Sequence, residues 1–364
     1  MTTRTSLFDR ISERRLAEQE KQRLAEAGCP KGDFASTCAS IVRAWVWLPC
    51  GVFETPLSAS ELAGLPSDFS HDPRLLDERG LRRPVRRLAT PAAERPDINA
   101  PGRSSEILQA ALKQWAPAFR GSIDWPNTQV VLFVPGAVRA MDWLDRVVSL
   151  WPRALLPHRG FDLQTQVPAL WLPEVLARSA GAQYLLCLSL DTWACKEQLS
   201  ACLPDQLAGE AVSAVLLRRE SKTAQLQPDS LLKLFAPISL SHAPRTAQDR
   251  NDTQTLEQLM TALSQRTAID PSRVKGLIGD GALEGQRLNQ LNRYARGFLP
   301  ALDLERQIRL SLIGARFGPV TEQWVQIGLA WLTASADSDS AVWILDRTQA
   351  DQTQGWLIGA SIRD

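Results

Sequence analysis

A continuous apolar run closed by a turn constrains this chain most. Val130-Val131-Leu132-Phe133-Val134 has no polar interruption and stops at Pro135-Gly136, the pattern of a strand buried on both faces. Tyr184–Leu190 (YLLCLSL) and residues 211–217 (AVSAVLL) repeat it. Between these runs, residues 138–151 and 167–179 carry helical spacing. Strands separated by helices predict a largely parallel sheet covered on both sides.

The second half has the same grammar. Residues 255–267 form an amphipathic pattern, Val274–Ile278 reads as a short strand, and residues 284–296 and 320–334 read as helices. Ala341–Leu345 and Trp356–Ile362 read as two antiparallel strands. Upstream, Ile41–Phe53 is rich in β-branched and aromatic residues and predicts a strand or hairpin arm. Ser105–Phe119 predicts a helix with Ile107, Leu108, Leu112 and Trp115 on one face. Residues 57–105 predict an irregular insertion with short helical turns around Leu75–Glu78 and Val85–Leu88. Residues 1–30 form a charged helical segment whose thin stripe includes Leu7 and Ile11, candidates for a partner contact. The expected domains are that segment, a first half over 36–236 and a second over 237–364.

Composition narrows the function. The 41 basic and 40 acidic residues leave a net charge of +1, which offers no field for nucleic acid or anionic lipid. The longest apolar stretch, Ala39–Phe53, contains Arg43 and is shorter than the roughly 20 residues a membrane span needs. The six cysteines have no Cys-x-x-Cys spacing, so reduced thiols in the cytoplasm are expected. Cys195 and Cys202 have no neighbouring histidine to complete a zinc site. No cofactor is expected. Trp143, Trp151, Trp171, Trp324 and Trp331 have core-like helical spacing, while Trp45 and Trp47, two apart on a strand, share a face and are the candidate exposed anchors.

Four segments, in order, carry a family resemblance. They are Gly181-Ala182-Gln183-Tyr184 leading to Ser189-Leu190-Asp191; Gly209-Glu210-Ala211-Val212; Ile269-Asp270-Pro271-Ser272-Arg273-Val274; and Ile313-Gly314-Ala315-Arg316-Phe317-Gly318. The chain resembles the thiolase-like superfamily, ketosynthases in particular, over about residues 125–364. The resemblance implies a layered αβαβα architecture built from two pseudo-repeats with mainly parallel sheets. It also implies a cysteine nucleophile at a helix N-terminus, where dipole and base lower the thiol pKa, assisted by two histidines or by a histidine and a second cysteine.

Those groups are missing from the expected positions. Counting back from Gly181 by the family's helix length reaches Gln164-Thr165-Gln166, and no cysteine lies between Cys50 and Cys187. Gly279-Asp280-Gly281-Ala282 stands where the first histidine belongs, and Ala315 follows Gly314 where the second belongs. His71, His158 and His242 fall elsewhere and read as surface or capping residues. Chain-length-factor subunits, which also replace the cysteine by glutamine and pair with active ketosynthases, are similar in this respect. The expectation is a cytoplasmic pseudoenzyme that binds a protein partner, a ketosynthase-like subunit or a cargo protein, as a homo- or heterodimer. The alternative is a cysteine-less malonyl-thioester decarboxylase in which the Gln164 or Gln166 amide steadies the developing enolate.

Overall fold

The computed structural model describes residues 38–57, 69–90, 95–178, 181–202, 206–219, 232–242, 253–279, 285–302, 308–310, 315–337, 339–347, 349 and 351–360. All belong to the compact unit Thr37–Asp364. The N-terminal segment with Leu7 and Ile11 lies outside the described residues.

The first half runs β1 (Cys38–Leu48), β2 (Gly51–Phe53), β3 (Ser70–Leu76), β4 (Arg82–Arg86), α1 (Ala100–Ser122), β5 (Thr128–Phe133), α2 (Ala140–Leu150), β6 (Phe161–Gln164), α3 (Pro168–Ala177), β7 (Tyr184–Thr192) and β8 (Leu207–Arg219). The second runs β9 (Lys233–Phe235), β10 (Ile238–Ser241), α4 (Gln254–Thr267), β11 (Val274–Gly279), α5 (Gly285–Phe298), β12 (Ile308–Leu310), β13 (Ala315–Arg316), α6 (Pro319–Ala334), β14 (Ala341–Asp346) and β15 (Gln352–Gly359).

Strand order exposes a duplication. The path is β12-β11-β14-β15-β9-β1-β8-β7-β5-β6, which reads the same pattern outward from its middle. In the first half β5 runs parallel to β6 and β7, while β8 runs antiparallel to β7 and β1. In the second, β11 runs parallel to β12 and β14, while β15 runs antiparallel to β14 and β9. Four of five strands in each half therefore point one way, and the antiparallel pair β1–β9 joins the halves.

Three large cores turn this topology into five layers. The middle core buries α3 and α6 between the inner faces of both halves, including Val131, Phe133 and Cys187 on one side and Val342, Ile344 and Trp356 on the other. A second core packs α1 and α2 on the outer face of the first half. A third packs α4 and α5 on the outer face of the second. Helix α6 is buried on nearly every side, as a helix between two sheets must be. It comes so close to β1 that a Cβ on Gly328 would meet Val46 Cγ2 at 2.5 Å.

Two expectations are corrected here. Trp45 and Trp47 share a face, but that face is inside. Trp45 is fully buried edge-on against Phe119 with ring centroids 4.9 Å apart, and Trp47 is buried beside it. Strand β1 is central rather than peripheral, lying between β8 and β9 under α1. The segments 75–78 and 85–88 do not form helical turns; β3 and β4 make a hairpin, and β4 pairs with the start of β8 (Val85↔Ala208). That pairing is tertiary, so local sequence does not display it.

A buried ion pair fixes the insertion to the sheet. Arg103 of α1 grips Glu210 of β8 through two bonds of 2.8 and 2.7 Å, and also reaches Leu88 O, Thr90 Oγ1 and Glu106. Glu210 accepts from the Leu88 amide and the Thr192 hydroxyl. Both side chains are essentially inaccessible, so removing one strands the other without water. Arg103→Ala should cost roughly 3–5 kcal/mol in urea unfolding, and Arg103→Met combined with Glu210→Leu should recover part of that loss.

Candidate functional site

The C-terminal ends of the parallel strands point toward the starts of the two central helices. Helix α3 begins at Pro168 with Val167 as its N-cap, and α6 begins at Pro319 with Gly318 as its N-cap. Proline suits this position because its missing N–H would have no helical acceptor. It also removes one donor from each helix end, and at a helix start donors are what an anion binds.

At α3 the remaining donors are used internally. The Ala169 amide donates to Gln323 Oε1 at 3.2 Å, and the Leu170 and Trp171 amides donate to Val167 O. Gln323 sits on the first turn of α6, and its Nε2 donates to Asp346 Oδ2 at 3.1 Å, at the end of β14. One side chain thus ties the start of α3 to the second half. Ser189 of β7 and Thr321 of α6 share a hydrogen bond of 2.7 Å between their hydroxyls.

Asp191 makes the second closure. Its carboxylate accepts from the amides of Thr192 (2.8 Å), Gly136 and Gly318. It therefore clamps the loop after β5, the end of β7 and the cap of α6 together. A Cβ on Gly318 would run into this carboxylate, so glycine is required there for closeness rather than for turn geometry. Burial pushes the Asp191 carboxyl up to about 6, against the lowering effect of the three amides. Glu322, buried on the first turn of α6, faces Arg316 at 3.5 Å.

The sequence-derived positions spread around this centre. Gln164 ends β6, and its Nε2 donates to Asp162 Oδ2 at 3.2 Å. Gln166 is exposed one residue before the α3 cap. Gly279 ends β11, paired with Leu345 and so next to Asp346. Ala315 lies in β13, paired with Leu207 of β8. Asp280 falls outside the described residues. The glycine that caps the buried helix is Gly318, four residues beyond Gly314. The helix-start positions themselves hold Val167-Pro168 and Gly318-Pro319.

One thiol lies beside Asp191, that of Cys195, whose Sγ donates to Thr192 O at 3.1 Å. Burial raises the Cys187 thiol well above its ordinary range, and raises Cys50 to about 11, Cys202 to about 11 and Cys195 to about 12. None of these four has the lowered pKa that a nucleophile needs. His71 lies in β3 against Phe69, His158 is exposed, and His242 Nε2 pairs with Thr353 Oγ1 at 3.0 Å. Among the described residues no group of three or more His, Cys, Asp or Glu could hold a metal ion, and no helix is long and apolar enough to cross a membrane.

Gln323 and Thr321 are site residues that motif reading passes over, and Asp191 appears there only within a family motif, without a role. Their signal is a polar residue inside an otherwise apolar element, LLCLSLDT for the strand and WVQIGLAWL following Thr321-Glu322-Gln323 for the helix.

Comparison with known proteins then places the architecture. No protein-family sequence model matches the chain, and no curated protein sequence matches it. Solved structures do. The PfaC ketosynthase–chain-length factor aligns over 90% of this chain and 43% of its own length, with a TM-score of 0.56 and 8% identity. AbyA1, a tetronic acid condensing enzyme, aligns over 88% of this chain and 100% of its own, at TM-score 0.51 and 13% identity. The ishigamide ketosynthase/chain length factor aligns over 88% and 99%, at 0.51 and 12%. The chain has the thiolase-like fold. At these identities the thiolase-like neighbours establish architecture and leave chemistry to the site.

The Asp191 clamp predicts a pH signature. Its folded pKa of about 6 lies above the ordinary 3.8, so the native state holds the proton more tightly than the unfolded chain. The contribution to stability is then largest below pH 4 and is lost as pH rises through 6. Relative to Asp191→Asn, the native protein should gain stability as pH falls from 7 to 4, by at most about 3 kcal/mol at 1.36 kcal/mol per unit. Paired urea titrations across that range measure it.

Proposed function

We propose that this chain is a non-catalytic version of its fold, serving in the cytoplasm as a scaffold, adaptor or partner subunit for another protein, either a ketosynthase-like subunit or a cargo protein. The observation that carries the reading is that the protein's own side chains take an amide at each of the two central helix starts. Pro168 and Pro319 supply no amide, Gln323 takes the Ala169 amide, and Asp191 takes the Gly318 amide. An acyl-transfer site needs the reverse, a thiolate and free donors aimed at a developing oxyanion. Here valine stands at the α3 cap and a carboxylate, Glu322, stands on the first turn of α6.

Surface chemistry supports a binding role. Among the described residues β6 pairs only with β5, leaving its outer edge as the end of the sheet. Met141 and Val148 on α2, Leu156 just before β6 and Leu170 on α3 remain exposed. Large apolar side chains on the elements flanking a sheet edge suit a dimer contact, with either an identical or a different subunit. The alternative is a decarboxylase acting through Gln164, whose Nε2 donates one bond to Asp162, or through Gln166, which faces solvent.

The purified chain should release no carbon dioxide from malonyl thioesters and form no acyl adduct by intact mass. Affinity purification from the native cell should recover a stoichiometric protein partner. Turnover that disappears with Gln164→Ala or Gln166→Ala would establish the decarboxylase instead.

A further inference from the structure

We infer that the β3–β4 hairpin is the arm on which this protein docks an acidic partner segment bearing apolar side chains; the inference rests on the scaffold reading and names its partner surface. The hairpin belongs to the insertion rather than to the duplicated strand pattern. Phe69, Leu76 and Leu81 are 58%, 51% and 60% exposed. Leu76 and Leu81 flank the turn, with Phe69 at the other end of the same hairpin, so the turn end is where exposed apolar side chains gather.

Charge selects the partner. Residues 69–88 contain six arginines and three acids in a chain whose overall net charge is only +1. Asp72 is already committed to Arg74 and Arg87, and the Arg74 contact holds its carboxyl below the usual carboxylate range. Asp77 is committed to the turn, where Oδ1 accepts from the Arg79 and Leu81 amides. Arg79 and Arg82 stay exposed at the tip beside Leu81, and Glu78, exposed there too, offsets one of them, leaving the tip net positive. A cationic rim around leucines complements acidic residues interleaved with apolar ones. Leucines offer nothing to a phosphate backbone, which makes a nucleic acid the poorer fit.

The arm is held in place before anything binds. Leu75 and Val85 point into a small core with Ala194, Leu199, Cys202 and Ala208. Arg74 Nη2 donates to Pro96 O at 2.8 Å, and Arg87 Nη2 donates to Ala194 O at 3.0 Å. Such an arm loses little entropy on binding. Strand addition is not the mode: β3 carries Pro73, and its register with β4 shifts between His71 and Leu76, both of which spoil a templating edge. Contact is through side chains.

The test uses the full chain in its native cell, with a photocrosslinking amino acid at Leu81 and, separately, at Leu156 beside β6. The expected result is a Leu81 adduct to a protein segment in which acids outnumber bases and apolar residues intervene. Binding of that purified partner should fall at least tenfold with Arg79→Glu plus Arg82→Glu and should weaken with salt. Both arginines are exposed, so an unchanged thermal unfolding midpoint confirms that the variant is folded. A nuclease-sensitive or lipid adduct, binding indifferent to the charge reversal, or no adduct at Leu81 overturns the inference. A protein adduct at Leu156 alone removes the hairpin while leaving the scaffold reading standing. Thioester turnover by the unmodified chain removes the scaffold reading itself.

Discussion

Two helix N-termini lie at the centre of this molecule, and a side chain from the opposite half takes one amide at each, Gln323 that of Ala169 and Asp191 that of Gly318. Helices α3 and α6 are packed between two sheet faces, where an unsatisfied amide would cost free energy that water cannot restore. Proline removes one donor at each start. The Gln323 and Asp191 side chains absorb others, and each does so across the boundary between the halves. A site meant to receive an anionic intermediate leaves such donors unpaired until substrate arrives. This one spends them on joining its two halves.

The same polar chain runs on toward the surface. Asp191 touches the Thr192 amide, the Thr192 hydroxyl touches Glu210, and Glu210 is locked to Arg103 and to the Leu88 amide at the root of the β3–β4 hairpin. Satisfied buried networks rigidify what they connect. The centre and the exposed arm are therefore parts of one stiff frame. A protein that binds another without chemistry benefits from such a frame, because preorganised contacts lose less on association.

Much of this fold was legible because burial on both faces writes itself into sequence. The runs at 130–134, 184–190 and 211–217 lie in β5, β7 and β8, and the 320–334 pattern lies in α6. Short or polar strands left no such trace. Phe161–Gln164 reads as FDLQ, and β3 and β4 are polar strands that pair with each other and, through β4, with β8. Trp45 and Trp47 shared a face as their spacing required, but spacing cannot say which side a second layer covers. The expectation that the family's cysteine and histidines are missing rests on residue types alone, whereas the residues that occupy the helix starts, Val167 and Gly318, depend on where each helix begins. The roles of Asp191 and Gln323 were hidden because the groups they join, Gly318 and Ala169, are far away in sequence.

The most direct measurement of central closure is the thiol chemistry of Val167→Cys. With the Ala169 amide held by Gln323 and Pro168 lacking one, that cysteine should alkylate with an inflection at or above the ordinary value of roughly 8.5. It should also stay unacylated in the presence of acyl thioesters by intact mass. An inflection well below pH 7 together with stoichiometric acylation would show that the helix start still works as an anion site, and the picture of a self-satisfied, inert centre would be wrong.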